Sequence, residues 1–401
     1  MAKRVVLAYS GGLDTSVAVH WLGSELGLEV VAVAVDVGQG DDFEALRERA
    51  LGAGAVEAVV IDARAEMARD FVAPAIAANA LYEGKYPLVS ALSRPVIVRH
   101  LVAEARRHGA EAVAHGCTAK GNDQVRFELG TRALAPDLEI LAPARSWGFT
   151  RAEAIDYADR NGIPVEATKE KLYSIDENLW GRAIECGVLE DPWAPAPEDA
   201  FSLTKPGDTE PREVVLSFES GVPVGIDGRS LALEDLVREL NGLVGSYGWG
   251  RVDMVENRRV GIKSRETYEC PAALALVLAH RDLEDLTLER DLAHYKAVLE
   301  IRWAELVYDG MWFSPLKEAI DAFILASQRH VTGDVRLSLS RGSCTVAGRR
   351  SPAGLYDHGL ATYGSEDSFE HADAAGFVKL LGLGIETWAS RQGGIGAGGI
   401  A

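Results

Sequence analysis

Cysteine is scarce in this 401-residue sequence, and the four cysteines lie far apart at Cys117, Cys186, Cys270 and Cys344. Because no two of them form a CxxC pair, the sequence argues against a zinc ribbon and against a thioredoxin-type redox site. Long hydrophobic runs are also missing, since no apolar stretch reaches the roughly 20 residues needed to cross a bilayer. The apolar run at the start ends at Ser10 and is too short for a signal-peptide core. We therefore expect a cytoplasmic protein without a membrane partner.

Basic residues are outnumbered, because 41 Lys and Arg face 60 Asp and Glu, which gives a net charge of −19 at pH 7. An acidic chain lacks the broad positive face with which general nucleic-acid binders displace counterions, so we expect no nucleic-acid partner. A local basic pocket for a small anion is compatible with this balance. The length predicts two or three domains.

The first half alternates short apolar runs with segments of helical periodicity. The runs predicted as strands are Val5–Tyr9, Glu29–Val37, Val56–Asp62, Ala112–His115 and Glu139–Ala142. The segments predicted as helices are Leu13–Leu26, Phe43–Ala53, Arg64–Leu81 and Pro95–His108. Thr150 and Glu153 have the spacing of a capping box that opens a further helix. Continuous apolar strands between amphipathic helices predict an α/β fold with a doubly wound, mostly parallel sheet.

The pattern changes after a proline-rich segment at Pro192–Pro211, which we interpret as a linker or arm. Strands are predicted at Glu213–Phe218, Val222–Ile226, Val335–Leu339 and Cys344–Ala347. Helices are predicted at Leu233–Leu243, Pro271–His280, Leu286–Tyr308, Pro315–His330 and His371–Ser390. The second half is therefore predicted to be an α+β domain that ends in a C-terminal helix.

The strongest motif is the run Ser10-Gly-Gly-Leu-Asp-Thr-Ser16, which directly follows the first strand and opens the first helix. Glycines allow a tight turn, and the amides and dipole of a helix start favour a phosphate group. The run is neither a GxxxxGK[ST] loop nor a GxGxxG loop. Asp14 would repel a phosphate unless a cation such as Mg²⁺ lay between them. The alternatives are a plain strand-to-helix turn and an Asp14 that only complements the helix N-terminus.

This run resembles the pyrophosphate loop of the ATP-pyrophosphatase (PP-loop) family, whose members split ATP between the α and β phosphates and adenylate a substrate oxygen. Together with further stretches, it resembles the argininosuccinate synthase family, in order from residue 5 to about residue 370. These stretches are Tyr82–Pro95, Gly116–Glu128, Tyr173–Arg182, Val255–Arg258 and Ile262–Tyr268. The resemblance implies a nucleotide-binding domain over residues 1–168, a synthetase and multimerisation domain over 169–370, and a C-terminal helix and tail over 371–401.

The resemblance implies an ATP-dependent ligase that joins L-citrulline and L-aspartate into argininosuccinate through a citrullyl-adenylate, releasing AMP and pyrophosphate. It also implies Mg²⁺ and a homotetramer, and it leaves the Mg²⁺ ligands open beyond the ATP phosphates and Asp14. Little of this chemistry requires a protein nucleophile, because positioning and charge stabilisation can supply most of the rate. The expected positioning groups are Asp14, Asp123 and Arg126.

The resemblance also assigns substrate contacts residue by residue. For ATP they are Ala8, Tyr9, Ser10, Gly11, Gly12, Leu13, Asp14, Thr15, Ser16, Ala34 and Gly116. For aspartate they are Thr118, Asn122 and Asp123, with positive charge added by Lys120. For citrulline they are Tyr86, Ser90, Asn122, Arg126, Ser174, Glu256 and Tyr268. The residue types suit these roles, because a guanidinium can clamp a carboxylate and a carboxylate can accept from an ammonium group. Taken singly, a buried strand alanine at Ala34, a helix cap at Asn122 or Asp123 and core tyrosines are competing interpretations.

Three alanines stand where the family pattern carries another residue. Ala119 replaces a glycine and would be strained if that position needed a positive φ. Ala91 replaces a citrulline-contacting serine, and Ser90, one residue earlier, is the expected substitute. Ala183 replaces a further serine. The two lost hydroxyls are expected to loosen citrulline binding or to be replaced by water.

Two other classes stay open on the sequence alone. Another PP-loop enzyme would need a nucleophilic cysteine in a glutaminase domain, an ammonia source, or a basic face with paired reactive cysteines. A non-catalytic adenine-nucleotide sensor would need only the sheet and the loop at Ser10, and it would leave the polar stretches at 116–128 and 173–182 without a purpose. Tight ATP binding without citrulline-dependent pyrophosphate release would favour the sensor.

Overall fold

The computed structural model describes residues 3–119, 121–165, 173–207 and 210–393. Lys120 and the predicted domain boundary at residue 168 lie outside the described residues. The chain divides into two compact units, Met1–Gly354 and Leu355–Ala401. Within the described residues, the search for a helix of sufficient length and apolar character to cross a membrane found none.

The strands of the first half are β1 Arg4–Ala8, β2 Glu29–Asp36, β3 Glu57–Asp62, β4 Ala112–Ala114 and β5 Glu139–Leu141. They form one sheet in the order β3-β2-β1-β4-β5, and all neighbouring strands run parallel. These bounds lie within one residue of the predicted ones. The predicted parallel α/β fold is therefore confirmed.

The helices of the first half are α1 Leu13–Leu26, α2 Phe43–Gly52, α3 Arg64–Met67, α4 Ala73–Ala77, α5 Val89–Arg107, α6 Asp123–Leu134, α7 Pro143–Ser146 and α8 Arg151–Arg160. A π-helical turn at Ala68–Val72 joins α3 to α4, so the helix predicted to reach Leu81 ends at Ala77. The helix predicted to begin at Pro95 begins at Val89 instead, because its first turn is held by buried apolar side chains. The capping box of α8 is present, since the Thr150 hydroxyl accepts from the amide of Glu153.

The two faces of the parallel sheet are both buried. Val6 and Val31 pack into the core that includes α5, while Val5 and Leu7 pack on the other face with α1. Successive side chains of a strand point to opposite faces, so strands buried on both sides are apolar throughout. The polar loops therefore gather at the carboxyl edge of the sheet, which is where ligands bind in open parallel sheets.

The second half contains two antiparallel sheets. One consists of β6 Ser174–Asn178, β7 Gly181–Glu185, β11 Arg251–Asn257 and β12 Lys263–Glu269, in the order β11-β12-β7-β6. The other consists of β8 Arg212–Glu219, β9 Val222–Ile226, β10 Arg229–Ser230, β13 Gly333–Ser340 and β14 Ser343–Arg350, in the order β10-β9-β8-β13-β14. The sequence predicted four strands of the second sheet and missed the first sheet.

The helices of the second half are α9 Leu233–Gly245, α10 Pro271–Thr287, α11 Arg290–Tyr308 and α12 Pro315–Ser327. The helix predicted from Leu286 starts at Arg290, because Glu289 caps it by accepting from the amides of Asp291 and Leu292. The second unit contains α13 His358–Ala361 and α14 His371–Gln392. The predicted α+β domain and C-terminal helix are therefore confirmed.

The β6–β7 hairpin attaches the antiparallel sheet to the parallel one. The amide of Leu179 donates to the carbonyl of Val37, the residue directly after β2, at 2.8 Å. The indole of Trp180 donates to the Pro87 carbonyl at 2.7 Å, and the Asn178 side chain donates to a carbonyl of α5 at 2.9 Å. These contacts hold β6 and β7 against the start of α5.

Candidate active site

The loop between β1 and α1 is held in place by α2. Gly11 has a φ of +72°, and a Cβ atom there would collide with Cδ2 of Leu46. The backbone thus needs glycine both for its conformation and for space. Nη1 of Arg49 donates to the Gly11 carbonyl at 3.0 Å. Arg49 was not singled out from the sequence, and it brings positive charge to the predicted phosphate loop.

The hydroxyl groups of this loop bond mostly to one another. The hydroxyls of Tyr9 and Ser16 lie 3.0 Å apart, and Ser16 is fully buried. The Ser10 and Thr15 hydroxyls lie 3.2 Å apart, and Thr15 also donates to the carbonyl of Gly12 at 3.2 Å. The exposed surface of the loop is therefore formed by Ser10 and Gly12, beside the N-terminal backbone amides of α1. Such amides are suitable donors to a phosphate.

Asp14 lies in the first turn of α1 and is half-buried. Burial raises the pKa of its carboxyl, and the Arg151 guanidinium acts against that rise. Within the described residues, no group of three or more His, Cys, Asp or Glu side chains could hold a metal. One carboxylate plus phosphate oxygens is nevertheless a ligand set that Mg²⁺ accepts. Asp14 therefore fits a Mg²⁺ ion that arrives with a nucleotide.

The remaining expected ATP contacts lie at the same edge of the sheet. Gly116 follows β4, and a Cβ atom there would come within 2.8 Å of the Thr15 side chain. Ala34 is buried in β2, directly after Val33, whose carbonyl accepts from the amide of Tyr9 at 2.9 Å. The loop that begins at Gly116 leads on to α6 and so connects the Ser10 loop with a second cluster of polar residues.

All seven expected citrulline contacts line one cavity between α5, α6, α11 and the antiparallel sheet β11-β12-β7-β6. Asp123, an expected aspartate contact, lines it as well. Thr118 is exposed and is not among the lining residues. Seven further residues line the cavity without having been assigned from the sequence, and they are Gly121, Asp176, Ala183, Glu185, Arg258, Glu266 and Tyr308.

Two guanidinium groups fix the carboxylate of Asp123. Nη2 of Arg94 lies 2.6 Å from Oδ2 of Asp123 and 2.8 Å from Oδ2 of Asp176. Nη1 of Arg126 lies 2.8 Å from Oδ1 of Asp123. Burial alone would raise the pKa of Asp123, but Arg94 and Arg126 hold it at about 2. Asp123 is therefore an anion throughout the physiological pH range. The positive charges of Arg94 and Arg126 balance the negative charges of Asp123 and Asp176.

Tyr308, at the C-terminal end of α11, connects residues from both halves of the chain. Its hydroxyl accepts from Nδ2 of Asn122 at 2.8 Å and donates to Oε1 of Glu256 at 2.6 Å. Its carbonyl accepts from Nε of Arg126 at 3.0 Å, and its ring stacks on Tyr82 with a centroid distance of 3.6 Å. Tyr308 thus aligns three of the expected substrate contacts.

Two stacked tyrosines form a flat wall of the cavity. The rings of Tyr86 and Tyr268 lie 4.1 Å apart, and the Tyr86 hydroxyl accepts from the amide of Ser90 at 2.9 Å. Burial raises the pKa of both hydroxyls, so both tyrosines stay protonated. The hydroxyl of Tyr268 lies 2.8 Å from Oε2 of Glu256 and 3.0 Å from Oε2 of Glu266.

The three departures from the family pattern have different structural outcomes. Ala119 is not among the residues with a positive φ, so the strain considered for it does not arise. Ser90 lines the cavity, whereas Ala91 is buried in the core beside it. Ala183 lines the cavity on β7, so the missing hydroxyl would have faced the same space.

A parallel sheet with a phosphate-type loop at its carboxyl edge, beside a cavity lined by polar residues, defines a nucleotide-dependent enzyme of the HUP-domain class. Residues 4–164 match the family model described as the arginosuccinate synthase N-terminal HUP domain. Residues 173–388 match the one described as the arginosuccinate synthase C-terminal domain. The chain therefore belongs to the argininosuccinate synthase family, whose members are ligases that use ATP.

Among solved structures, a predicted subunit of tRNA methyltransferase from Methanocaldococcus jannaschii DSM is similar to part of the chain. The identity is 15%, the TM-score is 0.29, and the match covers 39% of this chain and 76% of that one. A likeness of this size carries no argument about function.

Proposed function

We propose that the chain joins L-citrulline and L-aspartate into argininosuccinate, with ATP converted to AMP and pyrophosphate through a citrullyl-adenylate. The observation that supports this most strongly is the cavity lined by all seven expected citrulline contacts. The loop that starts at Gly116, beside Thr15, ends at Asn122 in the wall of that cavity. A nucleotide on the Ser10 loop and an amino acid in the cavity would thus be neighbours along one loop.

Charged side chains of the cavity would bind the oppositely charged groups of the two amino-acid substrates. Arg126 would bind the α-carboxylate of citrulline, and Glu256 would accept from its α-ammonium group. The ureido oxygen of citrulline attacks the α-phosphorus of ATP and forms the adenylate, and pyrophosphate leaves. The amine of aspartate then attacks the ureido carbon and AMP leaves. Asp123, an anion at neutral pH, would accept from the aspartate ammonium, with Thr118 and Asn122 near its carboxylates.

Mg²⁺ belongs to this proposal as the partner of the ATP phosphates. Asp14 is the residue that would hold it, since its half-buried carboxylate lies in the first turn of α1. The ion would neutralise phosphate charge that the acidic side chain would otherwise repel. The backbone amides of the loop and Arg49 bring further positive potential to the same place.

We propose that copies of the chain assemble into a homotetramer in the cytoplasm. The division of the chain into three domains stays a prediction. None of the side chains of α14 is buried, although several are large and apolar, namely Phe377, Val378, Leu380, Leu381, Ile385 and Trp388. An exposed apolar helix is typical of an interaction surface. Contacts between copies of the chain through α14 would cover these side chains. Four unpaired cysteines agree with a reducing compartment.

The test is pyrophosphate release from Mg-ATP by the full chain, with and without L-citrulline and L-aspartate. We expect release to require citrulline, and argininosuccinate and AMP to appear when aspartate is added. L-Arginine is a matched control substrate, because it has a guanidinium group in place of the ureido group and so lacks the oxygen that attacks. Release that is indifferent to citrulline would contradict the proposal, and ATP binding without any release would favour a nucleotide sensor.

A further inference from the structure

One side of the cavity holds more carboxyl groups than guanidinium groups. Asp123 and Asp176 are matched by Arg94 and Arg126. On the other side, three glutamates approach one another, and they are Glu185, Glu256 and Glu266. Arg258 pairs with two of them, since its Nη2 lies 2.6 Å from Oε2 of Glu185 and 2.5 Å from Oε1 of Glu266.

The hydrogen bonds of this cluster leave one pair of neighbouring oxygen atoms without a hydrogen atom between them. The Tyr308 hydroxyl receives a hydrogen bond from Asn122, so its own proton goes to Glu256. The Tyr268 hydroxyl also has one proton but faces carboxyl oxygens of both Glu256 and Glu266. It can donate to only one of them, and two oxygens without a hydrogen between them repel each other. The network is complete if one of the two carboxyl groups is protonated.

Glu266 is the better position for that proton. Glu256 then accepts from both tyrosine hydroxyls, one on each oxygen. Oε1 of Glu266 accepts from Arg258, and a protonated Oε2 donates to Tyr268. The hydrogen bonds then run in two consistent directions that meet at Glu256, which receives both.

We propose that Glu266 is an additional substrate-binding residue, which carries a proton in the empty cavity and releases it when the α-ammonium group of the amino-acid substrate enters. The inference rests on the proposed function, since that substrate is L-citrulline. The O–H bond of the Glu266 carboxyl breaks, its electron pair stays on the carboxylate, and the proton passes to the buffer. The ammonium charge then replaces the proton between the glutamates.

The charges around Glu266 favour this state. Burial, and then the carboxylates of Glu256 and Glu185, raise the pKa of Glu266 to about 8, and Arg258 acts in the opposite direction. Among the residues that the structure describes, Tyr86, Tyr268 and Cys186 also interact with Glu266, and they are neutral at pH 7 because their pKa values are raised. A raised carboxyl pKa means that the proton is bound below about pH 8. Citrulline must then displace it, so affinity falls as the pH falls.

The test is titration calorimetry of L-citrulline into the full chain, saturated with Mg²⁺ and the non-cleavable α,β-methylene analogue of ATP. Measuring at pH 7 in phosphate and in Tris gives the number of protons released, because the two buffers differ in ionisation enthalpy. We expect release of roughly 0.5–1 proton per citrulline.

Glu266→Gln keeps hydrogen-bond donors and acceptors but has no proton to lose. Proton release should therefore vanish, and citrulline binding should weaken about tenfold or more. Glu213→Gln on β8 is the matched control, since its side chain is exposed beside Arg336.

A second measurement remains valid if Glu266→Gln fails to fold. In the unaltered chain, the dissociation constant for citrulline should fall about tenfold per pH unit between pH 6 and 7 and level off near pH 8. A flat profile with no proton release would overturn the inference, as would a Glu266→Gln variant that releases protons like the unaltered chain. These failures are distinct from failure of the proposed function, in which pyrophosphate release would not depend on citrulline.

Discussion

The hydroxyl of Tyr308 lies 2.6 Å from Oε1 of Glu256, so the C-terminal end of α11 is bonded directly to β11. The same hydroxyl receives a hydrogen bond from Asn122 at the start of α6. Three elements that are distant in the sequence thus meet at one oxygen atom. A residue in this position can align an expected aspartate contact, Asn122, with an expected citrulline contact, Glu256.

We expect Tyr308→Phe to raise the KM for citrulline about ten- to hundredfold, with a smaller effect on kcat. The phenylalanine ring keeps the stacking on Tyr82, whereas Glu256 loses a hydrogen bond to a charged acceptor, worth about 1.5–3 kcal/mol. Steady-state kinetics at varied citrulline checks this. Tyr247→Phe is the matched control, because the Tyr247 hydroxyl donates to the Glu210 carbonyl and Tyr247 is not among the residues that line the cavity. An unchanged KM for Tyr308→Phe would assign the hydroxyl to stability alone.

A substitution at Arg94 should change the pKa of Asp123, the carboxylate that Arg94 contacts. Arg94→Lys keeps a positive charge but loses the planar fork that reaches both Asp123 and Asp176. The pKa of Asp123, held at about 2, should therefore rise. Because the folded-state pKa lies below the ordinary value, the stabilisation is complete above about pH 4 and is lost as the pH falls toward 2.

The measurement for Arg94→Lys is thermal unfolding between pH 2 and 6, together with kcat/KM for aspartate over the part of that range in which the protein stays folded. We expect the acidic limb of both profiles to move to higher pH by roughly one unit. Arg99→Lys on the same helix is the control, since Arg99 pairs with Glu66 outside the cavity. Superimposable profiles for the two variants would show that Arg94 does not set the charge of Asp123.

Hydrophobic periodicity explains why the parallel sheet could be predicted and one antiparallel sheet could not. β1 and β2 are apolar except at charged residues at their ends, because helices cover both faces. β6 and β12 are polar, with sequences SIDEN and KSRETYE, because part of their surface faces the cavity rather than an apolar core. Such strands carry no alternation that a single sequence reveals.

The candidate site could be predicted only where a residue lies within a recognisable motif. The expected citrulline contacts came from the resemblance, and the structure places them around one cavity, while their individual roles stay predictions. Arg94 lies inside one of the matching stretches and could have been noticed as a charged residue among the apolar side chains of the first half of α5. Glu266 also lies inside a matching stretch, Ile262–Tyr268, whereas Tyr308 lies outside all of them. The contacts of both residues depend on how α11 and β12 pack, which a single sequence does not show.

Gly11 provides a test of the predicted phosphate loop that needs no charged residue. Gly11→Ala should reduce the affinity for ATP at least tenfold, because the added Cβ collides with Leu46 and pushes the loop away from α2. Overpacking of this kind costs roughly 1–3 kcal/mol. ATP binding measured by calorimetry checks this. Gly148→Ala is the control, since Gly148 has a similar φ of +67° and open space around it.

The cause of the Gly11→Ala effect can be separated by a double variant. Gly11→Ala combined with Leu46→Ala removes the collision with Leu46. It leaves the backbone strain, which Gly148→Ala shares, and a tight approach of 3.1 Å to Nη1 of Arg49. We expect the double variant to recover most of the ATP affinity. If Gly11→Ala and Gly148→Ala bind ATP equally well, the close packing of this loop against α2 does not matter for the nucleotide.

Asp14→Asn should lower turnover of Mg-ATP by a hundredfold or more while the melting temperature stays the same or rises slightly. Burial raises the pKa of Asp14, which means that the empty site disfavours its negative charge. Removing that charge therefore does not destabilise the protein, but it removes the carboxylate that would hold Mg²⁺.

The measurement for Asp14→Asn is pyrophosphate release at saturating citrulline and aspartate over a range of Mg²⁺ concentrations. Asp291→Asn, in the first turn of α11, is the matched control for a carboxylate at a helix start. If both variants lose only about 0.3–1 kcal/mol of stability and keep full turnover, Asp14 does no more than complement the helix dipole.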